Sequence, residues 1–263
     1  MDRPVNNNHT FVVLAYKESK FLEECIGSLL CQTVSSNIVI ATSTDNEYIR
    51  KIAKKHDLNV IVNHNSSGIA GDFYFGVKAG NTQFVTVAHQ DDKYEPDYLE
   101  KVQRYLTEDM VIAFTDYYEE HPDGVQYSNR NLKIKRLLLF PLKFRCFQRN
   151  RWMRRRILSL GNPICCPAVT YNRTKVKKDI FRSNFRSNMD WKAWEQLSRE
   201  KGRFVYIDKP LMMHRIHEAS TTTEIINEGK RTNEDYEMLR LFWPKWIARR
   251  LSKIYANAEK NNH

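Results

Sequence analysis

From Thr10 to Asp92 the chain alternates short β-branched runs with stretches of helical period, and few architectures accept that pattern. Thr10–Ala15, Asn37–Thr42, Asn59–Val62 and Gln83–Ala88 read as strands, with helices expected over Phe21–Leu30, Glu47–His56 and Ile69–Ala79. Strands separated by helices of this length imply right-handed βαβ crossovers. The expected fold class is therefore α/β, with a mainly parallel sheet and helices on both faces.

The fourth strand runs into His89-Gln90-Asp91-Asp92. Open α/β sheets bind their ligands at the carboxyl ends of strands, so both carboxylates stand where a ligand is expected. Two adjacent anions repel each other and gain most from a divalent cation, and hard oxygen donors suit Mg²⁺ or Mn²⁺. The alternative is a solvated turn with Asp92 near a helix entry, since Pro96 suits the first turn of a helix. Neither G-x-G-x-x-G nor G-x-x-x-x-G-K-[ST] occurs, so bound phosphates would need another counter-charge.

Composition restricts the setting. No apolar run approaches the ~20 residues that cross a bilayer, and the N-terminus lacks the plan of a signal peptide. A cytoplasmic chain is expected. The five cysteines have no zinc-site spacing and read as buried thiols. The net charge of +11 has one source: fifteen Lys and Arg lie between Asp123 and Asp179 with no acidic residue among them, and the remainder carries 27 basic against 31 acidic residues. Within that block, Lys133–Phe140 and Arg149–Arg156 interleave cations with Leu, Phe and Trp. That pattern fits a membrane interface or an RNA-binding surface, against the plainer alternative of a solvated face over core leucines.

Further along, Met110–Asp116 reads as a strand, His121–Gly124 as a turn, Ala168–Tyr171 and Arg203–Ile207 as strands. Asp190 stands at the entry of a helix, where a lone aspartate is usually a cap. His214-Arg215-Ile216-His217 gathers two histidines and an arginine at a strand end. From Arg231 to Asn257 the chain is helical and divided at Pro244, with core packing and membrane contact both open.

Taken in order, these features resemble the family-2 glycosyltransferases, inverting enzymes of GT-A (Rossmann-like) fold that use nucleotide sugars. Val13–Glu18 resembles that family's first strand and its Tyr-Asn-Glu-type ending, and Phe21–Thr33 the helix that follows. Gln90-Asp91-Asp92 matches the metal-binding Asp-x-Asp position, Asp190 the acidic residue serving as base, and Arg215-Ile216-His217 with Ser220 and Thr221 the C-terminal Arg-x-His segment. Each motif is weak alone, but five in the right order are specific. There are two departures. Gln90 replaces the first aspartate, and Thr42-Ser43-Thr44 stands where the second strand usually ends in a pair of aspartates.

The resemblance implies roles. Asp190 would be the catalytic base, and Asp92, Asp91 and His217 would hold Mn²⁺ or Mg²⁺. Ala15, Tyr16, Glu18, Thr42, Ser43, Gly68, Asp72, Gln90 and Asp91 would line the nucleotide, with Tyr16 stacking on the base. Arg215 and His214 would serve the diphosphate, while Trp191 and Trp194 would offer faces to the acceptor. It also implies a GT-A domain over 1–228 (donor half 1–123, acceptor half with a basic helical insertion 124–228) and a helical tail over 229–263. The donor would be a nucleotide sugar, UDP-linked by preference, and the acceptor a glycan or lipid-linked glycan of surface polysaccharide synthesis. The 130–156 segment would bring the chain to the anionic inner face of the cell membrane, with no nucleic acid partner. The alternative is a non-catalytic module binding lipid, glycan or RNA on the same fold.

Overall fold

The computed structural model describes residues 3–65, 68–176, 180–181, 185, 187–217 and 231–260. The expected Ser220–Thr221 contribution and the boundary at 228 lie outside them.

Four strands form a wholly parallel half: β1 (Val5–Ala15) lies between β2 (Ser35–Thr42) and β4 (Phe84–His89), and β3 (Asn59–Val62) flanks β2. The crossovers are α1 (Leu22–Leu30), α2 (Glu47–Lys55) and α3 (Ile69–Ala79), close to the expected bounds. Local signals explain the agreement. Asn46 caps α2 by accepting from the Ile49 N–H, and Lys54 and Lys55 close its last turn. Along β1 the side chains alternate strictly. Phe11, Val13 and Ala15 enter one core with α1 and α2, while Val12 packs with α3 residues Phe73 and Val77 in a second. Full burial of each large apolar side chain contributes about 1.5–3 kcal/mol.

The second half is mixed. β6 (Met110–His121) pairs parallel with β9 (Arg203–Arg215), and β8 (Val169–Asn172) is inserted antiparallel between β4 and β6. β5 (Lys93–Tyr94) pairs antiparallel with β9, and β7 (Gly124–Gln126) folds back on β6. Among the described residues the strand order is β3-β2-β1-β4-β8-β6-β9-β5. β6 and β9 run farther than expected. Pro210 is accommodated at a break in the β6–β9 register. The expectation for Pro96 is corrected, because Glu95 donates its N–H to Leu211 and helix α4 (Tyr98–Val102) begins only afterwards.

The basic stretch folds as α5 (Arg130–Leu139), α6 (Arg145–Gln148) and α7 (Arg151–Leu158). Four of its cations are matched from afar. Arg136 pairs with Asp116 at 2.7 Å, Arg149 with Asp109 and Lys143 with Asp208 at 2.5 Å, and Arg155 with Glu195. Arg154 is buried over the Phe204 ring. The expected outward-facing basic block over 130–156 is therefore corrected for Arg154, which is buried, while Arg136, Lys143, Arg149 and Arg155 are paired and Lys143 and Arg149 stay exposed. Sequence distance hid their partners. Helices α8 (Met189–Leu197), α9 (Arg231–Arg240) and α10 (Lys245–Lys260) complete the chain. Met238, Leu239 and Ala248 join the same core as Trp191 and Trp194, so one face of the tail packs on the core. The thiols also divide: Cys25 and Cys166 are buried, but Cys31 and Cys146 are exposed.

Candidate active site

Register builds the site. Lys93 stands opposite Met213 and Tyr94 opposite Met212, so continuing that antiparallel ladder past its end brings Asp92 to His214 and Arg215. The Asp92 Oδ1 atom accepts from the Arg215 backbone N–H and bonds His214 Nδ1, both at 3.0 Å. Its Oδ2 atom is buried without a hydrogen-bond partner, 3.8 Å from His89 Nδ1. One turn away Asp91 Oδ2 meets His217 Nε2 at 3.0 Å. Two carboxylates and three histidines thus meet at the carboxyl edge of the sheet. Among the described residues, no three such side chains form a ready-made metal cage.

The electrostatics favour an ionised Asp92. Burial works against its charge, yet His214, His89 and the Arg215 N–H outweigh that and hold the carboxyl below its ordinary range. Burial likewise opposes a charged His214, but Asp92 prevails and raises it. His89 shifts the other way, lowered chiefly by its burial. Burial also pushes up the thiols of Cys165 and Cys166, and the carboxylates of both Asp92 and Asp190 act on them.

Asp190 lies in the first turn of α8 but is not its cap, a position held by Asn188. Its Oδ2 accepts from Asn162 Nδ2 and its Oδ1 from the Trp191 N–H, each at 2.7 Å. The Asn162 amide therefore fixes the carboxylate from outside the helix.

Farther along this edge, Tyr16 is exposed at the end of β1. Gln90 clamps its backbone from both sides, accepting from the Tyr16 N–H at 3.0 Å and donating to the Tyr16 carbonyl at 3.1 Å. Lys17 takes a left-handed φ of 53° and donates its N–H to Thr44. Asp72 accepts from Ser43 at 2.7 Å and from Asn63 at 2.9 Å, just inside a helix whose entry, Gly68, has a φ of 87°. Glu18 is exposed near this edge.

Several expected roles need correction. Arg215 is buried, its guanidinium bonded to Glu120 at 2.6 Å and Glu24 at 2.7 Å over the Phe21 ring. It braces the site and serves Asp92 through its backbone, so it does not present a free charge to a diphosphate. His214 faces Asp92. Trp191 and Trp194 are fully buried: Trp191 donates to the Leu158 carbonyl, and Trp194 stacks on Tyr171. Neither ring offers a face to an acceptor. Thr42 is buried with its hydroxyl accepting the Thr44 N–H, and the Ala15 methyl lies in the core. Gln90 is a backbone clamp.

Sequence reasoning missed His89, Glu24, Glu120, Asn162, Asn63 and the Lys135–Tyr117 hydrogen bond at 2.7 Å. His89 adjoins the Asp-Asp pair and was open to notice. Nothing local to Glu24 or Glu120 signals Arg215.

Comparison with known proteins agrees with this geometry. Residues 10–161 match the model of glycosyl transferase family 2. An uncharacterised glycosyltransferase of Haemophilus influenzae is 23% identical over 248 residues, covering 84% of this chain and 69% of its own length. Residues 1–349 of S. aureus TarS superpose with a TM-score of 0.60 at 15% identity, over 93% of this chain and 69% of that one. The same fragment has also been solved with UDP-GlcNAc. The Pyrobaculum calidifontis mannosyltransferase PcManGT, solved with GDP-Man and Mn²⁺, gives 0.60 at 11% identity over 97% and 70%. The fold is of the GT-A type.

Proposed function

Since the chain belongs to glycosyl transferase family 2 and is a glycosyltransferase, we propose that it moves a sugar, with inversion, from a nucleoside-diphosphate sugar to a glycan or lipid-linked glycan. The observation that carries this is the buried Oδ2 of Asp92, without a hydrogen-bond partner, beside the Asp91–His217 pair. A buried carboxylate oxygen lacking a proton donor suits a hard divalent cation. Asp92, Asp91 and His217 would hold Mn²⁺ or Mg²⁺, which would supply Lewis acidity toward the diphosphate.

The chain's own groups do the rest. Asp190, oriented by Asn162 and the Trp191 N–H, takes the proton of the acceptor hydroxyl. The acceptor oxygen bonds to the anomeric carbon while the bond to the diphosphate breaks on the opposite face. His214 and the Arg215 N–H keep Asp92 ionised and oriented. Tyr16, Ser43, Gly68 and Asp72 lie along the edge assigned to the nucleotide. A UDP-sugar is the favoured donor; relatives of this fold have been solved with UDP-GlcNAc and with GDP-Man. In this reading 1–123 serve the donor, 124–228 the acceptor, and 229–263 form a tail. The work takes place at the inner face of an anionic membrane, in surface polysaccharide synthesis. Among the described residues no helix is long and apolar enough to cross it.

The test is turnover of UDP- and GDP-sugars with Mn²⁺, with the anomer of the transferred sugar read by NMR. Inversion is expected. A retained anomer overturns the assignment of Asp190, and donor binding without turnover would favour a non-catalytic module.

A further inference from the structure

Helix α10 carries two unlike faces. Ala248, Leu251, Ser252 and Tyr255 turn inward, while Trp246, Arg250, Lys253 and Ile254 recur at helical spacing on the outside. Trp246 is 65% and Ile254 62% exposed, values that a helix packed only for stability does not require. Trp152 of α7, 64% exposed, is tied to the start of α10 through Arg156, whose guanidinium lies over both its ring and that of Trp243, two residues before Lys245. Lys245, Arg249, Arg250 and Lys253 are exposed and have no ion pair among the described residues. No acidic residue occurs between Glu237 and Glu259. Over 130–156, Arg136, Lys143, Arg149 and Arg155 have distant carboxylate partners; among the described residues the four α10 cations have none.

We propose that α10 and the start of α7 together form the face that docks on an anionic lipid surface, with Trp152, Trp246 and Ile254 entering the interface and the four α10 cations contacting headgroups. This rests on the membrane reading above and locates it on the C-terminal helix. Tryptophan with flanking Lys and Arg is the chemistry of a membrane interface, where rings lie at headgroup depth and cations snorkel. A second copy of the chain is a poor occupant, since it would oppose like charges. The placement also suits the reaction. Tyr255 of α10 stacks on Trp191 with centroids 6.1 Å apart, next to Asp190, and its hydroxyl donates to the Leu160 carbonyl at 2.6 Å, two residues before Asn162. A chain resting on α10 holds Asp190 close to the lipid plane, where an anchored acceptor would arrive.

The experiment is flotation of the full chain with vesicles of phosphatidylcholine alone or mixed with phosphatidylglycerol. Three variants are compared: Trp152→Ser with Trp246→Ser and Ile254→Ser; Lys245→Gln with Arg249→Gln, Arg250→Gln and Lys253→Gln; and, as a ridge elsewhere on the insertion, Leu137→Ser with Phe140→Ser and Phe144→Ser. All ten positions are exposed, so folding should survive, and thermal midpoints check it. We expect wild-type binding only to the anionic vesicles, weakening with salt. Both α10-face variants should bind at least about tenfold more weakly and the ridge variant almost normally. Loss confined to the ridge variant would overturn this location while leaving membrane binding intact. No wild-type binding to anionic vesicles would overturn the membrane reading itself. Concentration-dependent self-association abolished by the Trp152/Trp246/Ile254 variant would make a second copy the occupant and overturn the proposal.

Discussion

At the residue scale, the carboxylates have different tasks. Asp190, the proposed base, is held by an amide from another segment. Asp190→Asn should therefore lower kcat by about 10²–10⁴ and leave the donor Kd nearly unchanged, as single-turnover kinetics and calorimetry would check. Unchanged turnover would move the base elsewhere. Arg215 has the opposite signature. Its charge is matched by Glu24 and Glu120, so Arg215→Ala should cost about 2 kcal/mol of stability, less than a fully buried pair because both carboxylates reach solvent. The measurement is the urea midpoint. A normal midpoint with weakened diphosphate binding would restore the role first expected of it. Aspartates at the end of a strand were legible in the sequence, as was the proximity of two histidines to an arginine. The partners of that arginine were not, because they lie 191 and 95 residues away.

Among the elements, β1 to β4 were legible because strand period, helix period and caps are local signals, and parallel crossovers follow from them. The insertion of β8 between β4 and β6 was not, since pairing of short strands is decided by the whole sheet. A buried chain of hydroxyls crosses it there. His9 of β1 bonds Ser36 at 3.0 Å and Thr86 at 2.9 Å, and Thr86 meets Thr170 of β8 at 2.6 Å. Burial lowers the His9 pKa from 6.5 to about 3, so the folded state excludes a proton that the unfolded state accepts. His9 thus contributes stability above pH 6.5, and that contribution drains away as pH falls toward 3, by up to about 1.4 kcal/mol per pH unit. Urea midpoints across that window should fall more steeply for the wild type than for His9→Gln; equal slopes would remove His9 from the acid response. The seating of α10 depends on Gly161, whose φ is 146° and whose missing Cβ leaves room for the Tyr255 hydroxyl. Gly161→Ala should lower stability by about 1–3 kcal/mol, read as a lower thermal midpoint, with the loss centred on α10 by hydrogen exchange.

On the scale of the whole molecule, the parallel and mixed halves, proposed to serve donor and acceptor, meet where β9 passes the β4–β5 turn. The parallel half offers Tyr16, Ser43 and Asp72, the mixed half offers Asp190 and Asn162, and Asp92 stands at the seam, tied to β9 by two hydrogen bonds. Everything proposed for the reaction depends on a cation-assisted diphosphate site at that seam. Calorimetric titration with UDP-GlcNAc and GDP-Man, each with Mn²⁺ and then with EDTA, on the wild type and Asp92→Ala, tests it most directly. At least one donor should bind the wild type only when Mn²⁺ is present, and Asp92→Ala, folded by circular dichroism, should bind neither. Equal binding in EDTA, or Mn²⁺-dependent binding that survives Asp92→Ala, would contradict the account.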